Sequence, residues 1–161
     1  IKLKGINVSK NYENKLLNLG ISLPDAPAPA ANYVPYVVVG DMVYISGQIS
    51  GDANGRINGK LGKNFSVEEG QLAAKTCGIN LIAQLKSACG GDLDRLVQVV
   101  KLGGFVNCTS DFEDHPKVIN GASDLMVEVF GEAGKHARAA VGSSSLPLGV
   151  AVEVEGIFQI K

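Results

Sequence analysis

The groups with the clearest capacity for chemistry stand near the end of the chain, inside segments that read as β-strands. Arg138 lies in "HARAAVG", and Glu153 and Glu155 lie in "VEVEGIF". A permanent cation beside two carboxylates is a combination that catalytic sites use, and it is equally the combination of a structural cross-strand ion pair. The choice between the two depends on the elements that hold these side chains.

Strand periodicity assigns the three side chains to faces, because successive residues of a strand point to opposite sides of a sheet. In the last predicted strand, 149–160, apolar residues alternate with Glu153 and Glu155, so both glutamates point away from the core. In the strand before it, 137–142, we place Arg138 on that same polar side, although a slip of one residue would reverse this assignment. A mixed polar and apolar face of this kind indicates a subunit interface more than a solvent-exposed surface.

The first 31 residues form a separate unit in the sequence pattern. Ser9 can cap a short helix with an apolar side of three leucines, and Gly20 ends this helix. Four of the six prolines then fall within twelve residues, which predicts an extended segment. We assign 1–31 to an N-terminal helix and proline-rich extension and 32–161 to the main domain. We expect the extension to dock on the outside, so that a chain without residues 1–29 still folds. The three leucines are Leu16, Leu17 and Leu19.

The main domain shows strand and helix patterns in the order β-β-α-β-α-β-β, which predicts an α+β fold. Gly40-Asp41 separates two β-branched runs, as a hairpin turn does. Ser66 and Glu69 form a capping box at the start of a long helix, and a second amphipathic helix begins near Asp114. Each long helix has one apolar stripe. We therefore predict that both cover one face of a single mixed sheet and leave the other face uncovered.

Composition excludes several classes of function. The chain has 161 residues and a net charge of -1, so it offers no field that attracts nucleic acid or an anionic membrane. It has no apolar run of membrane-spanning length. Three separate cysteines and two histidines form no metal-binding motif, and we expect no metal and no cofactor. Cysteines of this kind indicate a reducing compartment, so we predict a cytoplasmic protein.

Three blocks of the sequence together resemble a known family. The blocks are "YVPYVVVGDMVYISGQI", "HARAAVG" followed by "LP", and "VEVEGIF", and the resemblance extends over residues 32–161. The chain resembles the Rid family, the YjgF-like reactive intermediate deaminases that are also called L-PSP endoribonucleases. This resemblance implies a chorismate-mutase-like α+β fold and a homotrimer with clefts between subunits. It also implies hydrolysis of enamines and imines derived from amino acids, giving 2-keto acids and ammonia.

The same resemblance suggests roles for six residues. Arg138 resembles the arginine that grips the substrate carboxylate, and Glu153 resembles the acid that positions water or handles a proton. The expected substrate contacts are Tyr33, Ser46, Gly47 and Asn120. Each contact also has an ordinary alternative: packing against the extension for the tyrosine, an exposed helix position for the asparagine, and a strand end for the serine-glycine pair.

Two departures from the family pattern leave the substrate open. Ala140 stands two residues after the arginine, where close relatives often carry Cys, Ser or Thr, and "SSSLPLG" lacks the acidic residues of deaminating members. Two rival functions therefore remain: a non-catalytic trimer that binds a small carboxylate and, ranked lower, an endoribonuclease. The expected partner is a small carboxylate, either an imine or a 2-keto acid, and we expect neither a membrane nor a nucleic acid.

Overall fold

A computed structural model describes residues 10–161 of the chain. In chain order the elements are α1 (Tyr12–Asn18), β1 (Tyr36–Val39), β2 (Met42–Ile49), β3 (Gly51–Asp52), β4 (Gly55–Arg56), α2 (Val67–Ala88), β5 (Leu96–Asn107), α3 (His115–Phe130), β6 (Ala137–Ser143) and β7 (Val152–Ile160). Short 3-10 turns cover Leu93–Arg95, Gly131–Gly134 and Pro147–Gly149. Five strands form one sheet in the order β1-β2-β7-β5-β6, and β3 and β4 form a separate small hairpin.

The five-stranded sheet is mixed, and both long helices pack on one of its faces. β5 and β6 run parallel and are joined by α3, whereas the other neighbouring pairs are antiparallel. Val152, Val154 and Phe158 of β7 are fully buried on the helix side. Of the alternate residues, Glu153 is half-buried and Glu155 is exposed. The predicted α+β architecture, with α2 and α3 covering one side of the sheet, is confirmed.

Local sequence signals set the ends of these elements. The Ser66 hydroxyl accepts a hydrogen bond from the Glu69 N–H, and the Glu69 carboxylate accepts one from the Ser66 N–H, so the predicted capping box begins α2. Gly40, in the hairpin turn between β1 and β2, has a φ of 62°, which favours glycine. Gly121 brings α3 against α2, because a Cβ there would overlap the carbonyl oxygen of Gln71.

The N-terminal helix begins later than the sequence pattern suggests. The predicted cap, Ser9, lies outside the described residues. The helix begins at Tyr12, and the side chain of Asn11 accepts a hydrogen bond of 3.2 Å from the Asn14 N–H. The backbone N–H groups of Asn11 and Tyr12 both donate to the carboxylate of Asp94, at 2.9 and 3.0 Å. These bonds tie the start of α1 to the turn before β5.

The apolar side of α1 is also different from the predicted one. Of the three leucines, only Leu16 is buried; Leu17 is 70% exposed and Leu19 is 40% exposed. Tyr12 is the second buried residue, and its ring meets that of Phe130 edge to face, with centroids 4.9 Å apart. The extension thus packs on the core through Tyr12, Leu16 and Ile21. That the fold survives without residues 1–29 stays a prediction, and a soluble truncated chain would confirm it.

The prediction that Arg138 shares a face with the two glutamates is wrong. Arg138 pairs with Leu102 of β5, a fully buried core residue, so its side chain points to the helix side. Glu155 pairs with the next residue of β5, Gly103, and therefore points to the uncovered face. Within residues 10–161, no ion pair joins Arg138 to Glu153 or Glu155. The cross-strand ion pair is thereby excluded as the role of these three charges.

The uncovered face of the sheet carries a set of exposed apolar side chains. They project from β1, β2 and β6, and each is between 47% and 61% exposed: Val37, Val39, Tyr44 and Val141. Val37, Val39 and Tyr44 lie together on β1 and β2, and Val141 lies at the other edge of the sheet, on β6. The glutamates of β7 lie between them. Exposed apolar side chains that share one face are typical of interaction surfaces.

Candidate functional site

The guanidinium of Arg138 is held by α3, the helix that connects β5 to β6. Its Nη1 donates to Asn120 Oδ1 at 2.8 Å and to Ser123 Oγ at 3.1 Å, and its Nη2 donates to the Pro116 carbonyl oxygen at 3.4 Å. The three acceptors share one side of α3 because they are spaced four and three residues apart. Asn120 is therefore a partner of the arginine and not simply an exposed helix residue.

These contacts leave one edge of the guanidinium open. An arginine has five N–H donors, and three are used, so Nε–H and one N–H of Nη2 have no partner within residues 10–161. Nε and Nη2 form one edge of the planar group, and two parallel donors on an edge match the two oxygens of a carboxylate. Because the three acceptors are neutral, the positive charge of Arg138 is not neutralised by these contacts.

The carboxyl group of Glu153 lies on the opposite face of the sheet, against β2. Its Oε1 lies directly over Gly47, where a Cβ would overlap it. The side chain is half-buried, and it has no hydrogen-bond or ion-pair partner in the described part of the chain. Burial, and then the negative charge of Glu155, raise the pKa of Glu153. A raised pKa brings a carboxyl group toward the range in which it can both take and give a proton.

Three of the predicted contact residues lie together beside Glu153. The Ser46 hydroxyl donates to the Val34 carbonyl oxygen at 2.8 Å, which ties the segment after Tyr33 to β2. A cavity of about 140 Å³ is lined by Tyr33 and Gly47, together with residues of the proline-rich segment and α2. The Ser46-Gly47 pair lies within β2, at an irregularity in its pairing with β7, and not at a strand end.

The six predicted site residues fall into two groups within one chain. The arginine cluster comprises Arg138 and Asn120; the glutamate group comprises Glu153 with Tyr33, Ser46 and Gly47. β5 lies between β6 and β7, where Arg138 pairs with Leu102 and Glu153 with Phe105. Two strand spacings and three residues along β5, about 14 Å in all, therefore separate their backbones. Their side chains also point to opposite faces. One chain therefore does not bring both groups onto one small molecule.

Two further residues, Ser123 and His136, extend the arginine cluster through hydrogen bonds. Neither is among the predicted site residues. His136 Nε2 lies 2.9 Å from Ser123 Oγ, and His136 Nδ1 lies 2.6 Å from the Gly134 carbonyl oxygen. The sequence does carry one signal for this contact. Asn120 and Ser123 are polar residues three apart on α3, beside its buried apolar stripe, and such a pair shares one side of a helix.

The three cysteines, Cys77, Cys89 and Cys108, are free and buried. Burial, as the largest cause, raises the pKa of the first two thiols, which makes them weak nucleophiles. The sulfur of Cys108 lies 3.4 Å from Nε2 of His115. Residues 10–161 contain no cluster of three or more side chains that could ligate a metal. None of their helices has the length and apolar character needed to cross a membrane.

A larger cavity, of about 700 Å³, contains none of the predicted site residues. It lies between the proline-rich segment, the β3–β4 hairpin and α2, with Arg56 and Asp52 supplying its charged groups. It shares Pro27, Ile49 and Asn80 with the smaller cavity. We place the candidate site at the smaller cavity because its lining residue Gly47 lies against the carboxyl group of Glu153.

The fold and the site place the chain among α+β proteins with two helices on one side of a mixed sheet. A family model described as "YjgF/chorismate_mutase-like, putative endoribonuclease" matches residues 13–157. The chain belongs to this YjgF family. The match begins inside α1, so it includes most of the segment that the sequence pattern separates as an extension.

Relatives and solved structures agree with this membership. The chain is 48% identical to Protein TCP17 of Trypanosoma cruzi, over 90% of this chain and 91% of that protein. It is 32% identical to a 2-iminobutanoate/2-iminopropanoate deaminase of Dermatophagoides farinae, over 88% of this chain and 95% of that protein. A crystal structure of an Agrobacterium tumefaciens protein of unknown function matches with a TM-score of 0.88 and 42% identity, over 95% of this chain and 94% of that protein. The structure of Escherichia coli TdcF with bound serine matches with a TM-score of 0.61 and 25% identity, over 85% of this chain and 94% of that protein.

Proposed function

We propose that the protein is a hydrolytic deaminase of enamines and imines derived from amino acids. The products are a 2-keto acid and ammonia. The observation that carries the proposal is the open Nε–Nη2 edge of Arg138, which is held in place by neutral acceptors and matches a carboxylate. The deaminase name of a relative and the serine bound to a similar protein support a ligand with an amino acid's carboxylate.

Glu153 has the properties that imine hydrolysis requires. Water adds to the carbon of the C=N bond while a base takes one of its protons, and the nitrogen gains protons until ammonia leaves. A carboxyl group with a raised pKa can take the proton from water and return it to the departing nitrogen. The roles are therefore carboxylate binding for Arg138 and water activation with proton transfer for Glu153. Tyr33, Ser46 and Gly47 would form the wall of the cleft on the glutamate side.

The working site is formed between two copies of the chain in a homotrimer. The carboxylate and the imine carbon of the substrate are adjacent atoms, whereas Arg138 and Glu153 of one chain lie on opposite faces of the sheet. A second copy packed on the apolar uncovered face can bring its own arginine cluster to the glutamate group of the first. Cyclic association of three identical subunits then repeats the same cleft three times.

The alternative is a non-catalytic trimer that binds a small carboxylate, because Arg138 serves that role equally well. Turnover separates the two functions. An endoribonuclease ranks lower, since a chain with a net charge of -1 and two histidines offers little attraction for a phosphate backbone. A cytoplasmic location stays a prediction.

The test uses imines generated in the assay by an amino-acid oxidase from a panel of amino acids. We expect wild-type protein to speed ammonia release above the spontaneous rate, and Arg138→Ala protein to lose this effect. Calorimetry with 2-oxobutanoate measures carboxylate binding separately. Binding without turnover across the panel would favour the sensor function, and the absence of both would contradict the proposal. If the wild-type protein cleaved structured RNA and Arg138→Ala abolished this cleavage, the endoribonuclease function would be favoured instead.

A further inference from the structure

The arginine cluster continues beyond Asn120 into a chain of hydrogen bonds that ends in the backbone. Arg138 Nη1 donates to Ser123 Oγ at 3.1 Å, and Ser123 Oγ lies 2.9 Å from His136 Nε2. His136 Nδ1 in turn lies 2.6 Å from the Gly134 carbonyl oxygen. The chain therefore runs from the guanidinium through a hydroxyl and an imidazole to a backbone carbonyl.

The direction of each hydrogen bond follows from the chemistry of the groups. The carbonyl oxygen of Gly134 can only accept, so the Nδ1 atom of His136 carries a hydrogen. In the neutral ring Nε2 is then an acceptor, and the Ser123 hydroxyl donates to it. Ser123 Oγ keeps its lone pairs for the hydrogen bond from Arg138 Nη1. The directions of the hydrogen bonds are therefore consistent along the whole chain.

The end of the chain is fixed by close packing. Gly134 is buried at the end of the 3-10 turn Gly131–Gly134, and a Cβ at this position would overlap the Met126 carbonyl oxygen of α3. Glycine is therefore required for the turn to lie against the helix. Because the turn and α3 are in direct contact, the carbonyl that holds His136 and the helix that carries Ser123 keep a constant relative position.

We propose that Ser123 and His136 are positioning residues that set the orientation of the Arg138 guanidinium for its carboxylate ligand. Asn120 and Ser123 together use both N–H groups of Nη1, so the guanidinium is held against rotation and presents its Nε–Nη2 edge outward. Without the serine hydroxyl, one Nη1 hydrogen loses its partner, and the group is held only by Asn120 and by the longer contact, 3.4 Å, with the Pro116 carbonyl oxygen, so it turns more easily. The inference rests on the proposed function for the role of Arg138, but the positioning itself is testable without any ligand.

The first measurement is nitrogen NMR of ligand-free protein. A guanidinium held at both Nη1 hydrogens rotates slowly about the Nε–Cζ bond, so Arg138 should show two resolved Nη signals. We expect Ser123→Ala and His136→Phe to merge these signals, and Ser123→Thr, which keeps the hydroxyl, to leave them resolved. Alanine is a better helix former than serine, so Ser123→Ala should keep α3 intact. Ser87→Ala is the matched control, because it removes a hydrogen-bonded serine hydroxyl of α2 that bonds Tyr36 instead.

The second measurement is calorimetry of the same variants with 2-oxobutanoate. We expect Ser123→Ala and His136→Phe to weaken binding by about tenfold, since a hydrogen bond to a charged group is lost or loosened. Ser123→Thr and Ser87→Ala should bind like wild type. Resolved Nη signals or unchanged binding in Ser123→Ala would overturn the inference, and the proposed function would stand if Arg138→Ala still abolished binding. If wild-type protein bound no carboxylate, the proposed function would fall, and the role inferred for Ser123 and His136 would fall with it.

Discussion

The arginine cluster and the glutamate group treat their charges in opposite ways. Arg138 makes three hydrogen bonds to neutral acceptors and keeps two donors on one edge. Glu153 makes no hydrogen bond or ion pair in the described part of the chain, and burial and Glu155 raise its pKa. The surroundings of Arg138 fix the orientation of its positive group, whereas the surroundings of Glu153 disfavour its negative charge.

This difference indicates a division of labour between the two regions. A guanidinium that is positioned while charged suits binding of a carboxylate that does not change during the reaction. A carboxyl group that is not held in its charged form suits proton transfer. Since the two regions lie on opposite faces of the sheet, we expect each to be damaged separately by substitution. The predictions below test that separation.

Loss of the cation should have the largest effect. Arg138→Ala removes the charged partner of the ligand, so we expect binding of 2-oxobutanoate to weaken by about 2–5 kcal/mol and turnover to be lost. Arg138→Lys should recover little, because an ammonium cannot form two parallel hydrogen bonds. Calorimetry checks both variants. Arg56→Ala is the control, and loss of binding in that variant alone would move the site to the larger cavity that Arg56 lines.

Loss of the proton-active group should affect turnover without affecting binding. For Glu153→Gln we expect imine hydrolysis to slow by about 10²–10⁴-fold, the range for a general acid-base group, while 2-oxobutanoate binding stays near the wild-type value. Glu155→Gln, on the same face two residues away, should slow turnover much less, because it removes only the smaller cause of the raised pKa of Glu153 and keeps the carboxyl group itself. An equal loss in both variants, or a loss of binding in Glu153→Gln, would contradict the division of labour.

A methyl group under Glu153 should have a smaller effect. The Cβ of Gly47→Ala would overlap Glu153 Oε1, which is the end of a flexible side chain, so the fold should survive while the carboxyl group moves. We expect turnover to fall by up to about 100-fold, because a displacement near 1 Å has that cost in a catalytic geometry. Steady-state kinetics at several substrate concentrations measures it. Unchanged turnover with unchanged secondary structure would show that the position of Glu153 is unimportant.

The smallest effect concerns stability as a function of pH. Because the pKa of Glu153 is raised in the folded protein, the stability linked to its proton is complete below its ordinary pKa of 4.5 and is lost as the pH rises through the raised pKa. Glu153→Gln cannot lose a proton. We therefore expect its melting temperature to gain on that of wild type as the pH rises from 4.5 toward neutral. A difference that is constant with pH, or that shrinks, would contradict the raised pKa.

Much of the fold could be predicted from sequence because its signals are local. The capping box at Ser66 and the turn at Gly40 depend on neighbouring residues, and both appear at the predicted positions. The apolar stripes of the long helices are also local patterns. The N-terminal helix was less predictable, since Leu16, Leu17 and Tyr12 all suit an apolar side and the choice among them depends on where the helix meets Phe130.

The face to which Arg138 points could not be predicted in the same way. β6 is a parallel edge strand of mainly small residues, so its sequence offers no strong contrast between a buried and an exposed side. Its register depends on the length and packing of α3, which is a tertiary effect. The partners of the arginine, Asn120 and Ser123, become recognisable only once α3 is placed over β6. The glutamate face was predictable, because the valines of β7 alternate strictly with Glu153 and Glu155.

The central claim is that a working site takes Arg138 from one subunit and Glu153 from another, and co-expression of two inactive variants tests it most directly. Arg138→Ala and Glu153→Gln chains, each tagged differently, would be purified together as mixed oligomers and assayed for imine hydrolysis. If each cleft of a trimer joins two subunits, every mixed trimer has one of its three sites that pairs an intact arginine with an intact glutamate, so about one third of the sites are restored. The account predicts that partial recovery. Mixed oligomers with no more activity than either variant alone would contradict a shared site.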